Sequence, residues 1–239
     1  KTENNAVVKN GTPKIYKYYD KRVFSLLSGI DANYNYFHWF FDSLPRFFLY
    51  KRFFKIKKND HFLVHNYKSD FQKESLKILG INNVINAYDL KHIKAKEVIV
   101  VNFSRNKQDP PKWLIKDLRF FYEKNKLTKK ENPVKIFIDR ANNSSKLRDI
   151  FNKKEILTFL KSKKFKIVDP SKLKFLDEIK LFKRASFIIG MYGAGLTNLI
   201  FCNSKCKVIQ LKNYNVDKMY ENIAKKIGLK FYSIKGKNI

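Results

Sequence analysis

His38 and Asp42 have the residue types and the spacing for acid–base chemistry. They lie four positions apart in an aromatic segment, residues 34–54, that has the length of a helix, and residues four apart share one helix face. In apolar surroundings the proton affinity of either group can shift, so either could take a proton from a hydroxyl. A core histidine satisfied by a neighbouring carboxylate is the structural alternative. Pro45 predicts a kink or a helix end.

A glycine-rich turn, residues 190–198 (Gly-Met-Tyr-Gly-Ala-Gly-Leu-Thr-Asn), follows an apolar strand and opens a predicted helix. Small residues let a ligand approach the backbone, and the free N–H groups of a helix start favour a phosphate. The segment has neither the six-residue dinucleotide fingerprint nor the Lys-Ser/Thr pair of a P-loop. A plain tight turn is the alternative.

Basic residues follow another predicted strand at Asp139-Arg140, with Lys146 and Arg148 soon after. Guanidinium groups bind pyrophosphate oxygens through paired hydrogen bonds, so this segment is a candidate anion site, and an exposed loop is the alternative. His61 and His65 flank a short predicted strand, and residues four apart on a strand share a face but lie far apart along it, which disfavours a metal site there.

Strands that alternate with helices must position these residues. The predicted strands cover residues 23–27, 62–64, 83–87, 97–103, 134–138, 166–168, 187–189, 207–211 and 231–232. The predicted helices cover residues 34–54, 110–122, 71–79, 152–161, 175–183, 196–201 and 217–227. This alternation predicts an α/β fold of two doubly wound, Rossmann-like domains with parallel sheets. A charged break at residues 124–132 divides them into residues 1–128 and 129–239.

Three ordered segments of the chain resemble glycosyltransferase family 61. Residues 35–39 (Asn-Tyr-Phe-His-Trp), Asp42 and residues 44–46 (Leu-Pro-Arg) are similar to the family's first motif. Residues 136–140 with Arg148 are similar to its second motif, and residues 190–198 with the Phe-Cys pair at 201–202 and the Lys-Val-Ile strand at 207–209 to its third. The family's glycine turn usually carries a histidine where this chain has Tyr192, which cannot act as a cation but can donate a hydrogen bond.

The resemblance implies a GT-B architecture, in which two Rossmann-like domains face a cleft. The amino-terminal domain, residues 1–128, would hold the acceptor, and the carboxy-terminal domain, residues 129–239, the nucleotide sugar. An inverting transfer of a xylose, arabinose or N-acetylglucosamine type sugar from a nucleoside diphosphate to a glycan or glycolipid hydroxyl is implied. A catalytically silent glycan-binding or scaffold relative is the alternative.

The resemblance also assigns residues to roles. Asp42 is the preferred general base, and His38 is the alternative base or its partner. The acceptor-binding residues are Asn35, Trp39 and Arg46. The donor-binding residues are Arg140, Lys146, Arg148, Tyr192, Gly193, Ala194, Gly195, Leu196, Thr197 and Asn198. No metal or other cofactor is expected, because the chain lacks the Asp-x-Asp pair that holds a metal-bound nucleotide sugar.

The net charge of +30 requires anionic surroundings, although a lysine-rich composition alone is the alternative explanation. The cations are spread evenly, which disfavours nucleic acid and leaves peripheral association with an anionic membrane open. Two cysteines four positions apart predict no disulfide framework and favour a reducing compartment. We therefore expect a cytoplasmic location, at or near the membrane face, and a chain that starts without Met leaves room for an upstream anchor.

Overall fold

A computed structural model describes residues 11, 13–28, 35–90, 92–102, 109–124, 132–139, 150–212 and 216–236. The chain divides into two compact units, residues 1–103 and 104–239. This division precedes the one expected at 128/129, because helix Lys112–Lys124 packs within the second unit. Arg119 of that helix donates through Nη1 to Ile200 O (2.7 Å) and to Cys202 O (3.1 Å).

The first unit is built on a sheet of four parallel strands. Its strands are β1 (Lys17–Ser25), β2 (His61–Val64), β3 (Val84–Asn86) and β4 (Ile93–Ile99), in the spatial order β3-β2-β1-β4. The helical connections are α1 (Tyr36–His38), a π-helical turn (Trp39–Ser43), α2 (Leu44–Phe53) and α3 (Asp70–Ile78). A capping box between Ser69 and Gln72 begins α3, and it satisfies backbone N–H groups that the first helical turn leaves unpaired.

The π-helical turn explains how the aromatic segment passes Pro45. Proline has no N–H to donate to the carbonyl four residues earlier, and the backbone N–H of Leu44 bonds instead to Trp39 O, five residues back. The helix therefore continues through Pro45 with a local change of hydrogen-bonding register, where the sequence predicted a kink or an end.

The second unit holds a sheet of five parallel strands. They are β5 (Val134–Ile138), β6 (Phe165–Val168), β7 (Ala185–Met191), β8 (Lys207–Lys212) and β9 (Lys230–Lys235), in the spatial order β6-β5-β7-β8-β9. The helices are α4 (Lys112–Lys124), α5 (Lys153–Ser162), α6 (Phe175–Lys183) and α7 (Met219–Ile227), with 3₁₀-helices at Pro170–Lys172 and Ala194–Phe201.

Each sheet reverses its strand order at one place, and ligands of such sheets bind outside the carboxyl ends of the strands at that switch point. In the first unit it lies between β1 and β4, and in the second between β5 and β7. The prediction of α/β units with parallel sheets is confirmed, and a cleft between the units stays a prediction. Among the described residues, no helix is long and apolar enough to cross a membrane.

Two glycines allow the second switch point to close around Ile138. Gly190 is paired in register with Ile138 across β5 and β7, and a β-carbon at Gly190 would lie 3.1 Å from Ile138 Cβ. A β-carbon at Gly195 would lie 3.1 Å from Ile138 Cγ2. The absence of side chains at these two positions therefore serves close packing of β7 and the following helix on β5.

We expect Gly195→Ala to lower the free energy of unfolding by about 1–3 kcal/mol, because the added methyl group overpacks against Ile138. Denaturant unfolding followed by circular dichroism measures this loss. Gly236→Ala is the matched control, since a β-carbon there would meet Lys212 O at an ordinary 3.8 Å. Equal stability of the two variants would contradict the packing constraint.

Candidate functional site

The His38 and Asp42 side chains form a direct pair at the start of the first unit's long helix. His38 Nδ1 lies 2.7 Å from Asp42 Oδ2, and the two side chains are 31% and 24% exposed. The predicted meeting of these residues on one helix face is confirmed. A carboxylate can only accept, so a neutral His38 in this pair carries its proton on Nδ1 and leaves Nε2 as an acceptor. That arrangement can take a proton from a hydroxyl.

The three predicted acceptor-binding residues have structural contacts within the first unit. Asn35 caps the helix, accepting from the backbone N–H of Phe37 at 2.9 Å. Trp39 is 1% exposed, and its indole N–H donates to Ser75 Oγ at 3.0 Å. Trp39 therefore packs the π-helical turn against α3, and its predicted contact with an acceptor stays a prediction.

Arg46 is also interior, with 7% of its surface exposed. Its Nε donates to Asp42 O at 3.2 Å, and its Nη1 donates to Val101 O just beyond β4. Burial lowers the pKa of Arg46 from its ordinary value. The guanidinium therefore ties the backbone of Asp42 to the residues that follow β4, and a contact between Arg46 and an acceptor stays a prediction.

Tyr50 fixes the same helix to both strands of the switch point. Its hydroxyl donates to Ser25 O at 2.6 Å, lies 3.1 Å from Ile99 O, and accepts from the N–H of Val101 at 3.3 Å. Burial raises the pKa of Tyr50. Sequence analysis missed this residue, and its signal is a tyrosine one helical turn after Arg46 on the face that packs on the sheet.

In the predicted donor-binding turn, residues 192–198, the backbone is the part that a ligand can reach, because the side chains at its carboxyl end are buried. Leu196, Thr197 and Asn198 are all buried, so these side chains belong to the interior of the unit. Gly193 adopts φ 157° and ψ 179°, and its carbonyl accepts from Leu196 N at 2.9 Å to begin the 3₁₀-helix. The N–H groups of the first helical turn, at Ala194 and Gly195, are the groups that can meet an anion there.

Tyr192 packs as an aromatic side chain at the end of β7. Its ring meets Tyr220 of α7 with centroids 5.4 Å apart in a T-shaped arrangement, and its N–H donates to Leu211 O at 2.8 Å. Tyr192 therefore joins α7 to the glycine turn.

Of the segment 139–148 that follows β5, only Asp139 lies within the described residues. Asp139 pairs through Oδ1 with Lys153 Nζ at 2.6 Å and is 15% exposed, which connects the end of β5 to the start of α5. Arg140, Lys146 and Arg148 lie outside the described residues, so their donor-binding role stays a prediction.

The described residues include no group of three or more His, Cys, Asp or Glu that could hold a metal ion. His61 Nδ1 lies 3.1 Å from Asn59 O, a local backbone contact. Cys202 and Cys206 are buried and free, and burial raises the pKa of the Cys202 thiol. A raised thiol pKa makes this residue a poor ligand or nucleophile.

Sequence analysis also missed Asp169, which directly follows β6 at the carboxyl edge of the second sheet. Its Oδ1 accepts from the backbone N–H of Ser171 at 3.1 Å and from Ser171 Oγ at 2.6 Å. The available signal is the Asp-Pro pair that follows the predicted strand 166–168.

Comparison with known proteins gives one family and several partial relatives. Residues 36–209, well over half of the chain, match the family model described as Glycosyltransferase 61. EGF domain-specific O-linked N-acetylglucosamine transferases are similar over short stretches: that of Bos taurus is 31% identical over 100 residues, 40% of this chain and 19% of its own length. The Rattus norvegicus protein is 32% identical over 91 residues, 36% and 17% of the two chains. The matched stretch thus spans about a fifth of these relatives.

Among solved structures, the dodecameric iron-containing heptosyltransferase TibC in complex with ADP-D-beta-D-heptose is similar at a TM-score of 0.42 and 10% identity. The alignment covers 86% of this chain and 61% of that one. A similarity this low supports no further argument.

We expect Tyr50→Phe to lower the free energy of unfolding by about 1–3 kcal/mol, because buried backbone groups of β1 and β4 lose their shared hydroxyl partner. Thermal and denaturant unfolding measure the change. Tyr18→Phe, at a residue that is 56% exposed, is the matched control and should stay within about 0.5 kcal/mol of the parent. A Tyr50→Phe protein as stable as the control would show that the strand ends hold together without this hydroxyl.

Proposed function

The chain belongs to glycosyltransferase family 61, and we propose that it transfers a sugar from a nucleoside-diphosphate donor to a glycan or glycolipid hydroxyl with inversion at the anomeric carbon. The observation that carries this proposal is the 2.7 Å contact between His38 and Asp42 within the segment that matches the family. Because the matched stretch is a small part of the named relatives, activity, substrates and partners are all inferred.

His38 is the proposed general base, and Asp42 orients it. Inversion by a single displacement needs a base that takes the acceptor's hydroxyl proton as the new bond forms. Asp42 Oδ2 is already engaged by Nδ1 of His38, which leaves imidazole Nε2 as the better acceptor and stabilises the imidazolium that forms. The geometry thus changes the preference drawn from the sequence, which placed Asp42 first.

The leaving diphosphate is proposed to bind at the switch point of the second unit. Its charge would be met by the backbone N–H groups at Ala194 and Gly195 and by Arg140, Lys146 and Arg148. Arginine and helix N–H groups can stabilise developing negative charge without a metal. We therefore propose metal-independent transfer, supported by the lack of an Asp-x-Asp pair in the sequence.

In this proposal the two units form a GT-B type enzyme, with the acceptor on the first unit and the donor on the second. N-acetylglucosamine is one candidate sugar, since it is named in the similar transferases, and xylose and arabinose are others. The net charge of +30 supports peripheral association with an anionic membrane at the cytoplasmic face.

A catalytically silent, glycan-binding relative is the second candidate. Tyr192 favours it, because a neutral ring packed on Tyr220 replaces the family's usual histidine and cannot balance the charge of a phosphate. A screen of nucleotide sugars for donor hydrolysis and transfer separates the two candidates, and donor binding without turnover of any sugar would favour the silent relative.

With a donor in hand, we expect Asp42→Asn to reduce turnover by roughly 10²–10⁴-fold while donor affinity stays nearly unchanged, because the amide no longer supports the protonated imidazole. His38→Ala should lose at least as much. Steady-state kinetics and donor titration make the comparison, with His61→Ala as the control histidine. Near-native turnover of His38→Ala beside an inactive Asp42→Asn would make Asp42 the base. Normal turnover in both would remove this helix from the active site.

Calorimetry with UDP, GDP and ADP in the presence of a chelator should show binding of at least one nucleotide. Arg140→Ala should weaken that binding by about 1.5–3 kcal/mol if the guanidinium makes a charge-assisted contact with the diphosphate. Arg52→Ala, an exposed arginine on α2, serves as the control. Binding that disappears with the chelator would contradict metal independence.

A further inference from the structure

Asp169 carries a buried carboxylate oxygen, Oδ2, to which the described part of the second unit offers no hydrogen-bond donor. Oδ1 accepts both hydrogen bonds from Ser171 and thereby caps the 3₁₀-helix Pro170–Lys172. Oδ2 is buried, and none of the described residues donates a hydrogen bond to it. An ionised carboxylate can only accept, and a buried acceptor without a donor is costly. An O–H or N–H group of a bound ligand would complete the hydrogen bonding of this atom.

The position of Asp169 places this acceptor beside the proposed diphosphate site. β6 is the neighbour of β5, on the side away from β7, and strands in a sheet lie about 4.8 Å apart. The start of the second 3₁₀-helix reaches over this edge, since a β-carbon at Gly195 would lie 3.1 Å from Ile138 Cγ2 and 3.9 Å from Pro170 Cγ. A ligand whose phosphates meet the Ala194–Gly195 backbone would hence extend past Asp169.

A cavity of about 360 Å³ continues from Asp169 along the edge of β6. Its walls combine apolar residues such as Ile167 and Leu181 with cations such as Lys172, and Asp177 adds a second carboxylate. This volume is within the range of small-molecule sites, which pair apolar walls with a few placed polar groups. A nucleoside, which joins a flat, polar ring to a sugar with hydroxyl groups, fits that combination.

We infer that Asp169 is a nucleoside-recognition residue, whose Oδ2 accepts a hydrogen bond from a ribose hydroxyl of the donor nucleotide while the base enters the cavity beside β6. This inference rests on the proposed binding of a nucleoside-diphosphate donor in the second unit. Carboxylates near a glycine turn serve this purpose in dinucleotide-binding sheets, where they bind the ribose 2′-hydroxyl. The site would select ribonucleotides over their deoxy forms.

The test compares ribo and deoxy ligands on two variants that keep the helix cap. Asp169→Ser retains one oxygen for the Ser171 N–H, and Asp169→Asn retains the shape of the side chain. Calorimetry would use the tightest binder among UDP, GDP and ADP, together with its 2′-deoxy and 3′-deoxy forms. We expect at least one deoxy form to bind the parent protein roughly tenfold more weakly, and Asp169→Ser to bind ribo and deoxy forms within about twofold.

Asp177→Asn is the matched control, because Asp177 lines the same cavity, is 54% exposed and pairs with Lys180. It should keep the parent's discrimination. Tight nucleotide binding without a ribo preference, or a preference that survives in both Asp169 variants, overturns this inference alone. A change of base preference in place of ribose preference also overturns it. No binding of any nucleotide by the folded parent overturns the proposed function and this inference with it.

Discussion

The buried hydroxyl of Tyr50 is the contact on which the first unit's site depends. β1 and β4 end side by side at the switch point, where Phe24 is paired with Ile99. One phenol meets both strand ends, at 2.6 Å and 3.1 Å, and Arg46 adds a second link from the same helix to Val101 O. Because backbone polar groups must be paired when buried, the position of the helix, and with it the dyad, follows from these bonds.

In the second unit, two glycines without side chains allow the elements at the switch point to pack closely. Where β5 and β7 lie side by side, with Ile138 paired to Gly190, Gly190 and Gly195 leave room for Ile138, because a β-carbon on either would lie 3.1 Å from it. The glycine turn thus lies close on the sheet, and its first N–H groups reach the carboxyl edge because the packing beneath them is tight. The glycines that suggest a phosphate site are therefore also required for packing against Ile138. A substitution in the glycine turn would disturb the core of the unit as well as the candidate site.

The order of strands and helices could be predicted from the sequence, because apolar periodicity and turn residues mark where these elements lie. Each of the nine strands among the described residues overlaps a predicted strand, and helix 175–183 has the predicted bounds. The hydrogen-bonding register of the helix before Pro45 could not be predicted, because no residue pattern marks where one backbone N–H, that of Leu44, bonds to the carbonyl five residues back. The burial of Trp39 and Arg46 could not be predicted either. Aromatic and basic residues near such a motif can bind a ligand or pack in the core, and tertiary packing decides between the two.

The π turn connects these constraints to chemistry. It lies between His38 and Leu44 and includes Asp42, so the pair that we propose for proton transfer lies across the one irregular turn of the helix. An extra residue in a helical turn has a cost, and such turns occur mostly at functional sites. Here Arg46 bonds to the carbonyl of Asp42 while its other end reaches β4. The same buried guanidinium therefore holds the irregular turn and the switch point together, which explains why a charged residue is kept in the interior of a small domain.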